Sequence, residues 1–196
     1  MRRIGYRRPA AIALAGAGVL ATVAAGTTAT WTFLPGGEIT AHNMLNLNVE
    51  NIDTGAVVTC DDSTSTSTAK SGTGLSGEDL VAIDAISFSH TDNGDGECNG
   101  PGGLLVRVTA LALPWRFQAQ SYDVIAGTVK GKVTGVVAKG EGSDGCELEL
   151  GGPGGQPGAV GLSYQNSNGQ ITIEDGLGGL DGGYVQDGDP HTVTSP

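Results

Sequence analysis

Few side chains in this sequence are equipped for chemistry: three histidines (His42, His90, His191), three cysteines (Cys60, Cys98, Cys146) and 21 acidic residues among 196. A hydrolase would bring a serine, a histidine and a carboxylate together in space. The strained G-x-S-x-G elbow does not occur, since Glu141 stands two residues before Ser143 and Glu78 two after Ser76. Each histidine sits among polar residues, the setting of a solvated strand face or loop. Glu147 and Glu149 stand about 7 Å apart by strand rise, inside the inverting-glycosidase range. Every i, i+2 pair on a strand has that spacing, and between Leu148 and Leu150 the two read as the wet side of an amphipathic strand.

Oxygen-rich turns offer a different chemistry. Asp92, Asn93, Asp95 and Glu97 crowd one turn, and Asp187-Gly188-Asp189 forms a second. Calcium takes several oxygens on a flexible loop, so the first four residues are candidate calcium ligands. The EF-hand register fails, because Gly94 and Gly96 occupy the alternate positions. No other cofactor is expected. Gly72 to Gly77 and Gly140 to Gly145 each fit G-x-G-x-x-G, but the dinucleotide fingerprint needs a strand before it and a helix after it. Neither match has that context. Pro114-Trp115-Arg116-Phe117 is the one aromatic cluster, in a chain with 5% aromatics. Core packing is its plainer reading; Trp115, Phe117 and Tyr164 would instead border a pocket if the fold encloses one.

Strands must position these residues, because period-two alternation recurs along the chain. In Glu38 to Val49, Ile39, Ala41, Leu45, Leu47 and Val49 share a face. Asp53-Thr54-Gly55 turns the chain into Ala56 to Cys60. Asp61 to Ser71, rich in Ser and Thr, reads equally as an exposed edge strand or a loop. Leu80 to Ser89 suits a central strand with a bulge near Asp84, where the alternation changes phase. A short helix over Leu75 to Ala85 is the competing reading. Turn chemistry fills Thr91 to Gly103, followed by a strand over Leu104 to Leu113 with Val106 and Val108 inward, ended by Pro114. Trp115, Phe117 and Ala119 alternate next. Gly127 to Val137 places Val129, Val133 and Val137 on one face. Cys146 to Leu150 and Ala159 to Gln165 flank a Gly/Pro loop, and an Asn168-Gly169 turn leads to Ile171 and Ile173. Gly176 to Gly183 is loose, and His191 to Thr194 closes the series. The expectation is an all-β domain, a sandwich or barrel of about nine or ten strands.

The N-terminus sets the compartment. Arg2, Arg3, Arg7 and Arg8 precede an apolar run, Ala10 to Ala25, that ends in Gly26, Thr27, Thr28 and Ala29. These are the three parts of a secretory signal peptide, and about 16 apolar residues fall short of a bilayer span. Residues 1–29 are therefore expected to be a signal peptide, cleaved between 24 and 30, and 30–196 one secreted domain without stable membrane insertion. Four of the ten basic residues leave with the leader, so six face 21 acids and the net charge becomes −15. Such a surface repels nucleic acid and anionic headgroups, which leaves an extracellular partner or ligand as the expectation.

An odd cysteine count in an oxidising compartment allows one intramolecular bridge. Cys60 and Cys98 both end strands beside polar loops, and a bridge closing about 39 residues would stabilise by roughly 3 to 4 kcal/mol. Cys146 opens the alternation Cys146, Leu148, Leu150 and is expected to be reduced and core-facing.

Several stretches resemble a group of uncharacterised small secreted proteins of actinobacteria: Trp31-Thr32-Phe33 with Pro35-Gly36-Gly37; Cys60 leading through Ser71 to Gly77; Cys98 with Gly100-Pro101; Leu113-Pro114-Trp115; Gly145-Cys146; and Gly188-Asp189-Pro190. The resemblance implies an extracellular compartment and β-rich character, and carries no activity. In that group a later cysteine partners the one at Cys146; none follows it here. The functional expectation is a non-catalytic extracellular module for a surface, matrix or partner. A small-ligand or lipid-binding β-barrel is the alternative and a secreted hydrolase the third reading.

Overall fold

Alternating side chains with many β-branched residues favour extended backbone, and nearly all of the chain after Ala29 that the structure describes is strand or turn. The structure, a computed structural model, describes residues 18–22, 29–43, 46–51, 55–94, 96–152, 155–173, 184–186 and 192–194. The leader lies outside them apart from 18–22 and Ala29, as do Asp53-Thr54 and the segment 176–183.

Seventeen strands occur among the described residues. The first seven are β1 (Gly18–Thr22), β2 (Thr30–Leu34), β3 (Gly37–Asn43), β4 (Leu47–Asn51), β5 (Ala56–Cys60), β6 (Asp62–Ala69) and β7 (Gly72–Leu75). Next come β8 (Val81–Ser89), β9 (Cys98–Asn99), β10 (Leu105–Leu111), β11 (Trp115–Asp123) and β12 (Thr128–Gly142). The last are β13 (Glu147–Leu150), β14 (Gly158–Gln165), β15 (Gln170–Ile173), β16 (Tyr184–Gln186) and β17 (Thr192–Thr194). They outnumber the nine or ten expected because long alternations split and short pieces in loops pair. Glu38 to Val49, for instance, becomes β3 and β4.

Antiparallel pairing closes a ring of eight strands in the order β8, β11, β12, β14, β15, β17, β3, β6 and back to β8. The fold is therefore all-β and barrel-like, with most strands paired on both sides. Closure removes the exposed strand edges that invite aggregation. It depends on the short terminal strand β17, which pairs with β15 and β3. A flap made of β9, β5, β4 and β16 continues from β10. A separate three-stranded sheet, β1-β2-β7, carries Trp31 and Phe33 into the main core; β1 falls within the expected leader, and β7 is the partner that β2 keeps inside 30–196.

Three neighbouring strands change phase along one line. In β8, Thr66 faces Ala85 while Ser67 faces Ile83, so Asp84 is the extra residue, and the expected bulge is there. Between β10 and β11 the chain kinks at Ala112 (φ 54) and the cis Leu113-Pro114 bond. Both segments run antiparallel to β8 and β12, so together they act as one long bent strand. In β12 the break falls at Gly135, whose φ of 81° only glycine adopts freely. The ladder with β14 shifts between Thr134 and Val136. Val136 and Ala138 are consequently buried, and Val137, expected inward with Val129 and Val133, is only half-buried. The pairs Trp115 with Ile83 and Arg116 with Thr134 place these three irregularities side by side.

Two other readings are corrected. Asp61 to Ser71 is neither an edge nor a loop: β6 lies between β3 and β8, paired along its length to both. The helix over Leu75 to Ala85 does not form. Asp79 has a positive φ (51°), which breaks helical backbone. Leu80 is instead inserted into the core, its N–H donating to Phe117 O at 3.0 Å and its carbonyl accepting from Lys70 N at 2.9 Å. Burying that side chain contributes about 1.5 to 3 kcal/mol.

The packed interior has two clusters. The larger holds Trp31, Phe33, Leu80, Trp115, Phe117 and Tyr164 together with the inward valines of β12. The smaller, beyond the line of irregularities, holds Val58, Cys60, Cys98 and Val106. Cys60 and Cys98 are bridged, with Cα atoms 4.7 Å apart. Because Thr59 faces Asn99 in the β5–β9 ladder, the two cysteines stand directly opposite each other across it. That spacing belongs to a non-hydrogen-bonded antiparallel pair.

Candidate ligand cavity

Inside the barrel lies a cavity of about 280 Å³, open in part to the surface. Its wall follows from the alternation and the phase shifts. Val81 and Ile83 face inward before the Asp84 bulge, and Ile86 and Phe88 after it, so the bulge keeps β8 apolar on the inside along its whole length. On the bent strand, Val108 before the kink and Trp115 and Phe117 beyond it likewise all reach the interior. Flap residues, Val58 and Cys60 among them, also line the space.

The aromatic residues singled out from sequence, Trp115, Phe117 and Tyr164, are brought together here, each less than a tenth exposed. Trp115 satisfies its polar edge within the kink, Nε1 donating to Leu111 O at 2.9 Å. That bond fixes the indole as a wall and leaves its apolar faces free. Phe117 lies over Gly131 of the neighbouring strand, where a Cβ would come within 2.5 Å of the ring. A buried ring covering a glycine is a recognised device for stiffening a sheet. Burial pushes the Tyr164 phenol above its ordinary value, so it is neutral at physiological pH.

One stave of the wall differs. In β6, Ser63, Ser65 and Ser67 face the cavity, while Thr64, Thr66 and Thr68 occupy the opposite face. The outer threonines have their own partners: Thr64 Oγ1 lies 3.0 Å from His42 Nδ1, and Thr68 Oγ1 donates to Asp84 Oδ2 at 2.6 Å. Inside, Ser63 Oγ is buried without a hydrogen-bond partner, and Ser67 is 7% exposed. Asn43, at the same end, accepts from Ser63 N at 2.6 Å through Oδ1. No Asp, Glu, Lys, Arg or His is among the described residues of the wall.

Outside the cavity the sequence-derived candidates separate. Asp92 is exposed, and Asn93 turns its amide N–H groups toward Glu97 O and Asn99 Oδ1, both at 3.0 Å. Glu97 pairs with Arg107 at 3.4 Å. These groups point apart or are engaged, and no cluster of three or more His, Cys, Asp or Glu able to hold a metal ion occurs among the described residues. Asp95, Asp187-Gly188-Asp189 and His191 lie outside those residues.

His90 Nε2 is 3.5 Å from Asp61 Oδ2, and its Nδ1 accepts from Asp92 N at 3.2 Å. Both ring nitrogens are thus engaged in bracing the loop. Asp61 loses some ionisation to burial, but the Thr91 hydroxyl, the Thr91 N–H and His90 outweigh that and hold its carboxyl below the ordinary value. Glu147 and Glu149 are exposed on β13. Glu147 and Glu141 share Lys139, each at 2.9 Å, and this pushes Lys139 up to about 12.

Neither glycine motif leads into a helix: Gly72–Leu75 is β7, and Gly142 to Cys146 is a turn closed by Gly142 N donating to Cys146 O. Cys146 is free, as expected, but exposed rather than core-facing. It sits in that turn, one residue before β13 begins, so the inward phase of Leu148 does not extend back to it. Asp144 hydrogen-bonds the thiol and keeps it protonated above its ordinary value, the opposite of a reactive cysteine's setting.

Comparison of the chain with protein-family models, with curated proteins and with solved structures finds no match.

Proposed function

We propose that the protein is a non-catalytic binder of a small apolar molecule, held inside the barrel and working outside the cytoplasm. The observation that carries this reading is the interior cavity of about 280 Å³, walled mostly by aliphatic and aromatic side chains and by no charged one among the described residues. Pockets for small ligands are largely preformed, mostly apolar, and set in the interiors of β-barrels. A cavity near 150 Å³ holds benzene, so this one suits a guest of about a dozen heavy atoms. The buried disulfide and the acidic composition favour an extracellular setting, in line with the leader and with the resemblance to small secreted proteins.

Naphthalene tests the reading. Saturable binding by calorimetry and a rise in melting temperature are expected for the protein, and both should be lost in Val133→Phe, which fills the space. A flat titration with the parent protein overturns it. A partner-binding surface module is the second reading, favoured by Val124 and Ile125 at the β11–β12 hairpin tip, 72% and 97% exposed.

A further inference from the structure

We infer that the cavity selects an uncharged ligand bearing a hydroxyl or carbonyl group, read by the inward serines of β6. This rests on the ligand-binding reading above.

Three observations converge. Ser63, Ser65 and Ser67 face an otherwise apolar space, and Asn43 is the one amide beside them in the described wall. A hydroxyl left buried without a partner is unfavourable, and Ser63 Oγ is in that state. Its surroundings do not relieve it: Phe88, opposite it on β8, offers no polar group, the Asn43 Oδ1 takes the Ser63 N–H, and Thr64, next along the strand, faces outward to His42. A guest that presents an oxygen to this row would complete the hydrogen bonding that the protein leaves open. Each serine carries both a donor and an acceptor, so an alcohol and a ketone are equally served.

The second part of the inference concerns charge. A carboxylate entering this wall would meet no cation among the described residues. Moving an unpaired carboxylate out of water is far costlier than moving a neutral hydroxyl. Free fatty acids are therefore disfavoured, and neutral alcohols, ketones and esters are favoured. Successive serines stand about 7 Å apart along the strand, so the row extends over about 13 Å. A guest of about a dozen heavy atoms could thus place its oxygen against any of the three.

Three matched probes separate the possibilities: naphthalene, 2-naphthol and 2-naphthoate, titrated calorimetrically into the full protein. The expected order is 2-naphthol tighter than naphthalene by about tenfold, the value of one added hydrogen bond, with no measurable binding of 2-naphthoate. In Ser63→Ala the advantage of 2-naphthol should shrink, and in the triple variant Ser63→Ala/Ser65→Ala/Ser67→Ala it should vanish while naphthalene still binds. Equal affinity for naphthalene and 2-naphthol in the parent protein, or tight binding of 2-naphthoate, would overturn the inference and leave the apolar-cavity reading standing. An advantage that survives the triple substitution overturns it too. Failure of all three probes would remove both readings. The parent comparison needs no variant, so a substitution that disturbs folding does not block the test.

Discussion

Breaking the Cys60–Cys98 bridge should destabilise the protein by about 4 kcal/mol at most, and the loss should be concentrated in the flap. The bridged residues are 38 positions apart, and closing a loop of that size removes about 13 cal/mol/K of entropy from the unfolded chain, or about 4 kcal/mol at 25 °C. For a domain of this size that corresponds to a fall in Tm of about 8 to 16 °C. The location matters as much as the size. Cys60 ends β5 and Cys98 begins β9, which has just two residues and meets β5 in a single register pair, Thr59 with Asn99. Without the covalent link, little backbone pairing ties β5 and β4 to β10. The flap would then open at less than the full cost of unfolding. Differential scanning calorimetry of Cys60→Ala/Cys98→Ala beside the parent protein measures the first effect, and hydrogen exchange of the amides in β4 and β5 the second. A Tm within about 2 °C of the parent, together with unchanged protection in β5, would refute the reasoning.

Three further outcomes are expected. Gly131→Val should cost about 1 to 3 kcal/mol in urea unfolding, because a Cβ there meets the Gln118 carbonyl oxygen and the Phe117 ring; unchanged stability would mean that β11 does not approach this glycine so closely. Cys146 should react with a thiol reagent in the folded protein at one equivalent per chain, since it is free and exposed, and sluggishly because Asp144 holds it protonated; a fast reaction, or none until denaturant is added, would contradict this. Asp61→Asn should lower Tm most at neutral pH, because a carboxyl held below its ordinary 3.8 by Thr91 and His90 stabilises the fold above that pH and stops doing so as pH falls through its folded value. The gap between parent and variant should therefore close below about pH 4, and a gap unchanged at about pH 2 would count against the linkage.

Much of the fold was legible because alternation reports which face of a strand is covered. Val106 and Val108, Trp115 and Phe117, and Leu162 and Tyr164 all lie where their spacing puts them. The bulge at Asp84 could be read because Ile83 and Ile86, both apolar, cannot share a face without an extra residue between them. Gly135 concealed its shift: Val136 and Val137 are adjacent valines, so composition does not say which of them turns inward. The serine row was missed for a different reason. Hydroxyl side chains normally face water, and β6 turns three of them toward the interior because every second side chain of a strand in a closed wall must point inward, and here those positions are serines. Ser/Thr alternation without a charge between Ser63 and Ala69 was the available signal. Trp31 and Phe33 also belong to the core, and their alternation with Thr30 and Thr32 was the signal available for it. Cys146 shows that a periodicity argument stops at the last paired residue.

The aligned irregularities at Asp84, the Leu113-Pro114 kink and Gly135 act on the molecule as a score line acts on stiff card. Ordinary ladder register is interrupted at one level across three adjoining staves, and the two packed clusters meet across it at Phe88. The wall changes direction there while its apolar face stays turned inward on both sides. A barrel creased in this way turns its strands without surrendering its lining: Ile83 and Ile86 on one stave, and Val133 and Val136 on another, face the same interior from either side of the fold line.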